Sequence, residues 1–322
     1  MSDLKQKSAL QAQTKSGFSR RPGRKPGPSA LKHRSLVKHG SWWWAAPGLM
    51  AVFAVHYVAT TLGAFYAFTD YTGIGDFNWI GIENFRAILD DPEVMASLGN
   101  TAFLAVGFLV FTNLFGLLFA LALNRSLKTR YFLRTVLFLP VVLSAISVSY
   151  IFKYIFAYNG PLNAFLIETG HGSWQTSWLG EPKTAIWAIL IVAVWQNVGI
   201  AMVIFLAGLA LVPEELEEAA ALDGAGVFKR FWHITLPMIQ PAVAINLTLS
   251  LTTGLKIFDQ VMAMTNGGPF GATDTLATVI YRNTFQFMNY GYGAAISLVF
   301  TVLILVLAAI QMYLTRDRQA DK

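Results

Sequence analysis

The sequence predicts an all-α membrane protein of six transmembrane helices with both termini in the cytoplasm, and three observations carry that reading. Hydrophobic residues fill 55% of the 322 positions and charged residues only 13%, against about 25% charged in an average soluble domain. Six apolar stretches reach the roughly 20 residues that a helix needs to cross a bilayer core. They lie at about 43–68, 99–123, 133–157, 184–211, 238–263 and 292–314. None alternates with period two, so none reads as a strand. Finally, six spans put both termini on one side, and that side collects 19 of the 24 Lys and Arg residues. Basic residues in short loops mark the cytoplasmic face. This composition excludes an ordinary soluble enzyme.

Residues 1–40 hold ten Lys/Arg against one acid, Asp3, and read with Arg21-Pro22-Gly23-Arg24-Lys25-Pro26-Gly27-Pro28 as a disordered cytoplasmic tail. The pI of about 9.4 is therefore a property of the tail, and no nucleic-acid partner is expected. Residues 41–98 form the first span and an outer loop. That span is longer than a signal-peptide core, so it is expected to stay, and Arg20-Arg21 lies too far upstream for twin-arginine export. The outer loop 69–98 is acidic, with Asp70, Asp76, Glu83, Asp90, Asp91 and Glu93 against Arg86. Arg125, Lys128, Arg130 and Arg134 return the chain to the inside before the third span. Residues 316–322, with Arg316, Arg318 and Lys322, form a short inner tail. Membrane lipid is the expected surroundings of the rest.

The loop 212–237 breaks the charge pattern. It lies on the inner side yet carries Glu214, Glu215, Glu217, Glu218 and Asp223 against Lys229 and Arg230. Pro213 is a favourable first helical residue. Four glutamates follow where the helix dipole favours them, and Ala219, Ala220 and Ala221 continue with high helix propensity and little bulk. Gly224 and Gly226 end that helix. A second short helix, about 227–234, sets Val227, Phe231 and Ile234 on one face, and Pro237 restarts the chain into the fifth span. This predicts a helix-turn-helix outside the bilayer, with a surface that another protein's backbone can approach. A solvated linker would have the same composition.

The spacing distinguishes the two. Glu218-Ala219-Ala220, Gly224, Ile234 and Leu236-Pro237 fill every fixed position of the EAA loop, and the chain resembles importer permeases of the ATP-binding cassette superfamily. The resemblance covers roughly 42–315 and is similar to the sugar-permease family typified by the maltose importer's membrane subunits. Gly81-Ile-Glu-Asn-Phe85, Arg134-Thr-Val-Leu-Phe-Leu-Pro140, Phe258-Asp259, Met264-Thr-Asn-Gly-Gly-Pro269, Ile280-Tyr281 and Phe285 agree with it. The Asn266-Gly267-Gly268-Pro269 run and the leading tail look like the first of two permease subunits. The resemblance implies a type I importer permease fold, with residues 99–315 as a core of five spans around the coupling loop 212–237. It implies a second permease subunit, two ATP-binding subunits and an extracytoplasmic sugar-binding protein, in a bacterial inner membrane. Glu218, Ala219, Ala220, Gly224, Ile234 and Pro237 would then meet the ATPase.

No GxxxxGK[ST] phosphate loop occurs, so ATP-Mg is expected on the partner ATPases and no cofactor on this chain. There is no cysteine and no His pair at metal-ligand spacing; His33, His39, His56, His171 and His233 are scattered. No G-x-S-x-G elbow is present. The chain is not expected to be an enzyme. A secondary transporter would show internal repeats or midplane charge pairs, and neither is seen. A glycerol-3-phosphate or polyol importer of the same family is the nearer alternative, but a phosphate would favour a midplane Arg or Lys.

Transporter substrates sit near the midplane between helices. Counting about 1.5 Å per residue, Trp195, beside Gln196 and Asn197, lies about 16 Å into the fourth span. In the fifth, Asn246, Ser250 and Thr253 lie about 14, 20 and 24 Å from Pro237, and Lys256 about 29 Å. Asn246, Ser250, Thr253, Lys256 and Gln260 share one side of a continuous helix. Such a polar stripe faces protein or water rather than lipid. It therefore either lines a path for a di- or oligosaccharide or bonds helix to helix. Trp195, Asn197, Asn246, Ser250, Thr253 and Lys256 are the candidate path residues. Lys256 and Asp259, at i, i+3, are expected to pair locally near the outer surface, and Asn113 to join helices.

Overall fold

The computed structural model describes residues 44–124 and 128–315. The basic tail at 1–40, Arg125 and the terminal segment 316–322 lie outside the described residues. Among those described, the chain is helical, with one isolated bridge between Thr69 and Trp79 and no strand. The described residues divide into two units, one up to Ala59 and one from Thr60 onward.

The first apolar helix, α1, runs Ala46–Tyr66 with a π-helical stretch at Phe53–Val58. Phe53 stacks on Tyr57 there, with ring centroids 5.4 Å apart. In the larger unit, α2 (Glu83–Asp90) leads into α3 (Pro92–Leu123). The α3 helix starts seven residues earlier than the apolar pattern alone predicts. Asp91 caps it by accepting from the Glu93 and Val94 amides, and Pro92 suits the first turn. The third predicted span is two helices, α4 (Arg130–Val142) and α5 (Ala145–Ile155), bent by 99°. Pro140 lacks an N–H near the end of α4, and Leu143 and Ser144 adopt extended backbone. After α6 (Pro161–Glu168), α7 (Pro182–Leu209) crosses without interruption.

The loop of interest folds as α8 (Glu214–Leu222) and α9 (Val227–Met238). Pro213 stands one residue outside α8 rather than inside it. The fifth span also differs from the expectation. The restart falls at Ile239, beyond Pro237, where α9 meets α10 (Gln240–Leu255) at 73°. Pro241, in the first turn of α10, has no N–H to continue α9. The α10 helix ends before Lys256, and α11 (Asp259–Met264) is a separate element. Then α12 (Leu276–Tyr281) continues as a π-helical turn, Arg282–Gln286, before α13 (Tyr290–Thr315). Among the described residues four helices are long and apolar enough to cross a membrane, and the number reaches six if each bent pair is one span.

The core of this unit is built around α7, whose buried residues Ile189, Val192, Gln196, Gly199, Met202 and Phe205 recur at helical spacing. They pack with Leu104 and Phe108 of α3 and Val261 and Met264 of α11 at one end, and with Leu123 and Ile239 at the other. Lipid tails are as apolar as leucine, so this association depends on close van der Waals contact and small residues. At Gly199 a Cβ would stand 2.5 Å from the Leu137 carbonyl oxygen and 2.9 Å from the Phe138 Cα. Only glycine lets α4 lie that close.

Candidate coupling site and transport path

Four glutamates and three alanines favour helix over Glu214–Leu222, and Gly224 ends it. Gly224 has φ +82°, the Gly224 amide donates to Ala221 O at 3.1 Å and the Ala225 amide to Ala220 O at 2.9 Å. This pair of bonds is the Schellman closure, which satisfies carbonyls left over at a helix end. Nothing lies within 4 Å of a Cβ built at Gly224, so its requirement for glycine is conformational and not one of space.

Two contacts fix α8 against α9. Thr235 Oγ1 donates to Glu217 Oε1 at 2.9 Å, and Arg230 Nη1 donates to the Glu217 carbonyl at 3.2 Å. Glu217 was not singled out by the sequence, because nothing local marks a partner 18 residues away. The arrangement leaves Glu218 and Ala219 exposed, Ala220 and Ile234 half-buried and Pro237 exposed. It also leaves Leu222 89% and Phe228 83% exposed beside them. The surface is thus an anionic group, two methyl-sized side chains and two large apolar side chains on a braced pair of helices. Behind it, a groove of ≈ 740 Å³ lies between the last turns of α3, from Leu114 to Asn124, and Phe228, Phe231 and Trp232 of α9.

The candidate path residues separate into two sets. Asn246 and Ser250 are buried, with Asn246 Nδ2 donating to Ala201 O at 3.1 Å and Ser250 Oγ accepting from Asn113 Nδ2 at 3.0 Å. Both bonds join helices, and Asn113 is the joint that the sequence predicts. Thr253 and Lys256 are exposed. The single stripe does not persist to Gln260, because the helix breaks after Leu255. The same break removes the i, i+3 relation of Lys256 and Asp259, which make no ion pair; the only ion pairs among the described residues join Arg282 to Glu93 and Asp274. Lys153 instead donates to Ala263 O at 3.3 Å.

Trp195 is 42% exposed and lines an apolar groove of ≈ 460 Å³ with Phe111, Phe115, Phe119, Trp187 and Ile191. Its ring meets Phe152 edge-on at 5.1 Å. Asn197 is half-buried, and its Nδ2 donates to Ala193 O at 2.9 Å within its own helix. No residue of α10 lines the groove of Trp195, so matching depth did not bring Trp195 and Thr253 into one pocket. The structure reveals a further polar residue in Gln196. Its Nε2 donates to Leu143 O at the α4–α5 break, and its Oε1 accepts from Gln260 Nε2 at 3.2 Å.

Residues 112–319 match the family described as "Binding-protein-dependent transport system inner membrane component". The chain is 35% identical to the multiple sugar-binding transport system permease protein MsmF of Streptococcus mutans, over 87% of this chain and 97% of the relative. It is 32% identical to the lactose transport system permease protein LacF of Rhizobium radiobacter, over 90% of this chain and all of the relative. Among solved structures, a bacterial ABC transporter involved in the import of the acidic polysaccharide alginate has the same fold. The TM-score is 0.75 at 23% identity, covering 88% of this chain and 98% of the other.

Proposed function

The chain belongs to the family of binding-protein-dependent transport system inner membrane components, and we propose that it is the first permease subunit of an ATP-driven sugar importer. Its substrate is a di- or oligosaccharide, a reading supported by similarity to permeases named for lactose and for arabinooligosaccharides. An extracytoplasmic sugar-binding protein delivers the sugar, and a second permease subunit completes the path. Two ATP-binding subunits hold ATP-Mg, and this chain performs no covalent chemistry and carries no cofactor. In this reading both termini and the α8–α9 loop are cytoplasmic.

The braced α8–α9 pair supports the reading most strongly. It offers Glu218, Ala219, Ala220 and Gly224 with Ile234 and Pro237 as an ATPase seat. Closure of the ATPases on ATP moves this seat, and the Glu217 contacts with Thr235 and Arg230 pass the motion to α9 and α10. Thr253 and Lys256 are the residues proposed to meet the sugar from α10, and Trp195 and Asn197 from α7. Asn246 and Ser250 contribute to the same path by holding α10 against α7 and α3.

The test is reconstitution of this chain with its second permease, ATPases and binding protein in proteoliposomes, followed by uptake of radiolabelled maltose, lactose and malto-oligosaccharides. ATP-dependent accumulation of one of them, lowered by Thr253→Ala and Trp195→Ala, is the expected result. Accumulation without ATP, or of glycerol-3-phosphate alone, would contradict it.

A further inference from the structure

Beyond the end of α10, and away from α8–α9, an unbroken line of aromatic rings crosses four separate segments. Phe258 meets Tyr281 at 5.4 Å between centroids, and Tyr281 meets Phe285 at 5.5 Å. Phe285 meets Tyr290 at 6.1 Å, and Tyr290 meets Tyr71 at 5.9 Å. An aromatic core would be closed to the surroundings, but Phe285 is 57% exposed and Tyr281 36%, with the other three half-buried. The hydroxyls of Tyr281 and Tyr290 have no hydrogen-bond partner among the described residues, whereas that of Tyr71 donates to Gly73 O at 2.8 Å. The line begins two residues after Lys256 and five after Thr253, both of them exposed.

The line rests on a fixed support. Arg282, next to Tyr281 and opening the turn that carries Phe285, is held by buried Asp274 at 2.6 Å and by Glu93 at the start of α3. Asn283 Nδ2 donates to Val279 O at 3.0 Å, and the Asn289 amide donates to Asn283 O at 2.8 Å. The Gly291 amide donates to Tyr71 O at 2.8 Å, which joins the far end of the line to α13. Rings set in place before binding lose little freedom when a ligand arrives.

Lipid tails would gain nothing from the free hydroxyls. A pyranose has an apolar C–H face and a rim of hydroxyls; here the two exposed rings, Tyr281 and Phe285, lie at 43° to each other near the unpaired hydroxyls of Tyr281 and Tyr290, and Phe258 and Tyr290 pack on them edge to face. We infer that Tyr281 and Phe285, braced by Phe258, Tyr290 and Tyr71, form an approach track on which an oligosaccharide stacks before it reaches Thr253 and Lys256. The inference rests on the proposed sugar import and narrows it: one sugar ring covers one aromatic ring, so two exposed rings with centroids 5.5 Å apart select linked sugars over a single one. Arg282 acts as a positioning residue for the track.

The test uses the complete importer in proteoliposomes, with maltose, maltotriose, maltopentaose, lactose and arabinotriose as radiolabelled probes. Phe285→Ala and Tyr281→Ala should each lower uptake at subsaturating sugar by about fivefold, the size of one lost aromatic contact. The loss should be larger for the longer chains, and Phe285→Trp should restore uptake. The parent complex and both alanine variants should be recovered with all subunits. If the parent takes up these sugars and the alanine variants match it, the track fails and the import reading stands. If the alanine variants lose the second permease during purification, the rings are a subunit contact and the track is wrong. If the parent takes up none of the probes, the import reading fails and the track falls with it.

Discussion

Gln196 Nε2 donates to the carbonyl oxygen of Leu143 at 3.0 Å, across the gap between α7 and the break that separates α4 from α5. A helix that ends inside a membrane protein leaves carbonyls without partners, and lipid cannot supply them. Gln196, 5% exposed, satisfies one of these, and Gln260 holds its other side. The bend of 99° is therefore supported from a neighbouring helix.

Gln196→Leu should destabilise the permease by about 1–3 kcal/mol, the cost of leaving buried polar groups unpaired. Thermal unfolding of the detergent-purified subunit measures it. Gln260→Leu, which leaves the bond to Leu143 in place, should cost less. A Gln196→Leu protein that melts with the parent would show that the bend needs no such support.

Gly199→Ala and Gly224→Ala should fail in different ways. At Gly199 the new methyl meets the α4 backbone, and overpacking of a fixed backbone costs about 1–3 kcal/mol. At Gly224 the space is open and the cost is the left-handed φ, about 1–2 kcal/mol confined to the loop. Yield and melting temperature should fall for Gly199→Ala, whereas Gly224→Ala should fold and bind the ATPase less well. Equal yields, melting temperatures and ATPase binding would remove the distinction.

Arg282→Met leaves Asp274 buried without its cation. Burial works against the charge of Arg282, but the hydrogen bond and attraction of Asp274, followed by the attraction of Glu93, outweigh it and raise its pKa above the ordinary value. Breaking such a pair from one side costs about 3 kcal/mol or more. The double variant Arg282→Met/Asp274→Asn should recover part of the loss, as read by thermal unfolding. Full stability of the single variant would show that the pair contributes nothing.

Orientation is tested by labelling. Cysteines introduced at Ser2 and Gln319 should react with an impermeant maleimide only after the cells are opened, and one at Asp76 in intact cells. Reaction of Ser2 or Gln319 from outside would reverse the topology.

Much of this architecture is legible in the sequence because lipid imposes a simple demand: long apolar runs must be helices. The helix-turn-helix at 213–237 was equally legible, since its glutamates, alanines and Gly224 are local signals. The breaks at Leu143 and Ile239 were not. Apolar character continues through both, and what stabilises the first is Gln196, 53 residues away. The polar stripe on the fifth span failed for the same reason. Its 100° spacing assumed one helix to Gln260, but α10 ends at Leu255. Asn246 and Ser250 therefore join helices while Thr253 and Lys256 face outward, a division that residue type alone does not carry.

In the proposed importer, α8–α9 is where an ATPase docks and drives transport. A carboxylate contributes strongly to a charge-assisted bond only when a partner excludes water from it. Gly224→Asp places a side chain and a like charge beside Asp223 in the left-handed turn, and Glu218→Lys reverses the exposed charge. The direct measurement is ATPase co-purification together with hydrolysis stimulated by the sugar-loaded binding protein, for both variants against the parent. Each variant should lose the ATPase or keep it with hydrolysis no longer stimulated. Parent-like binding and stimulation in both would contradict it and leave the loop a solvated linker.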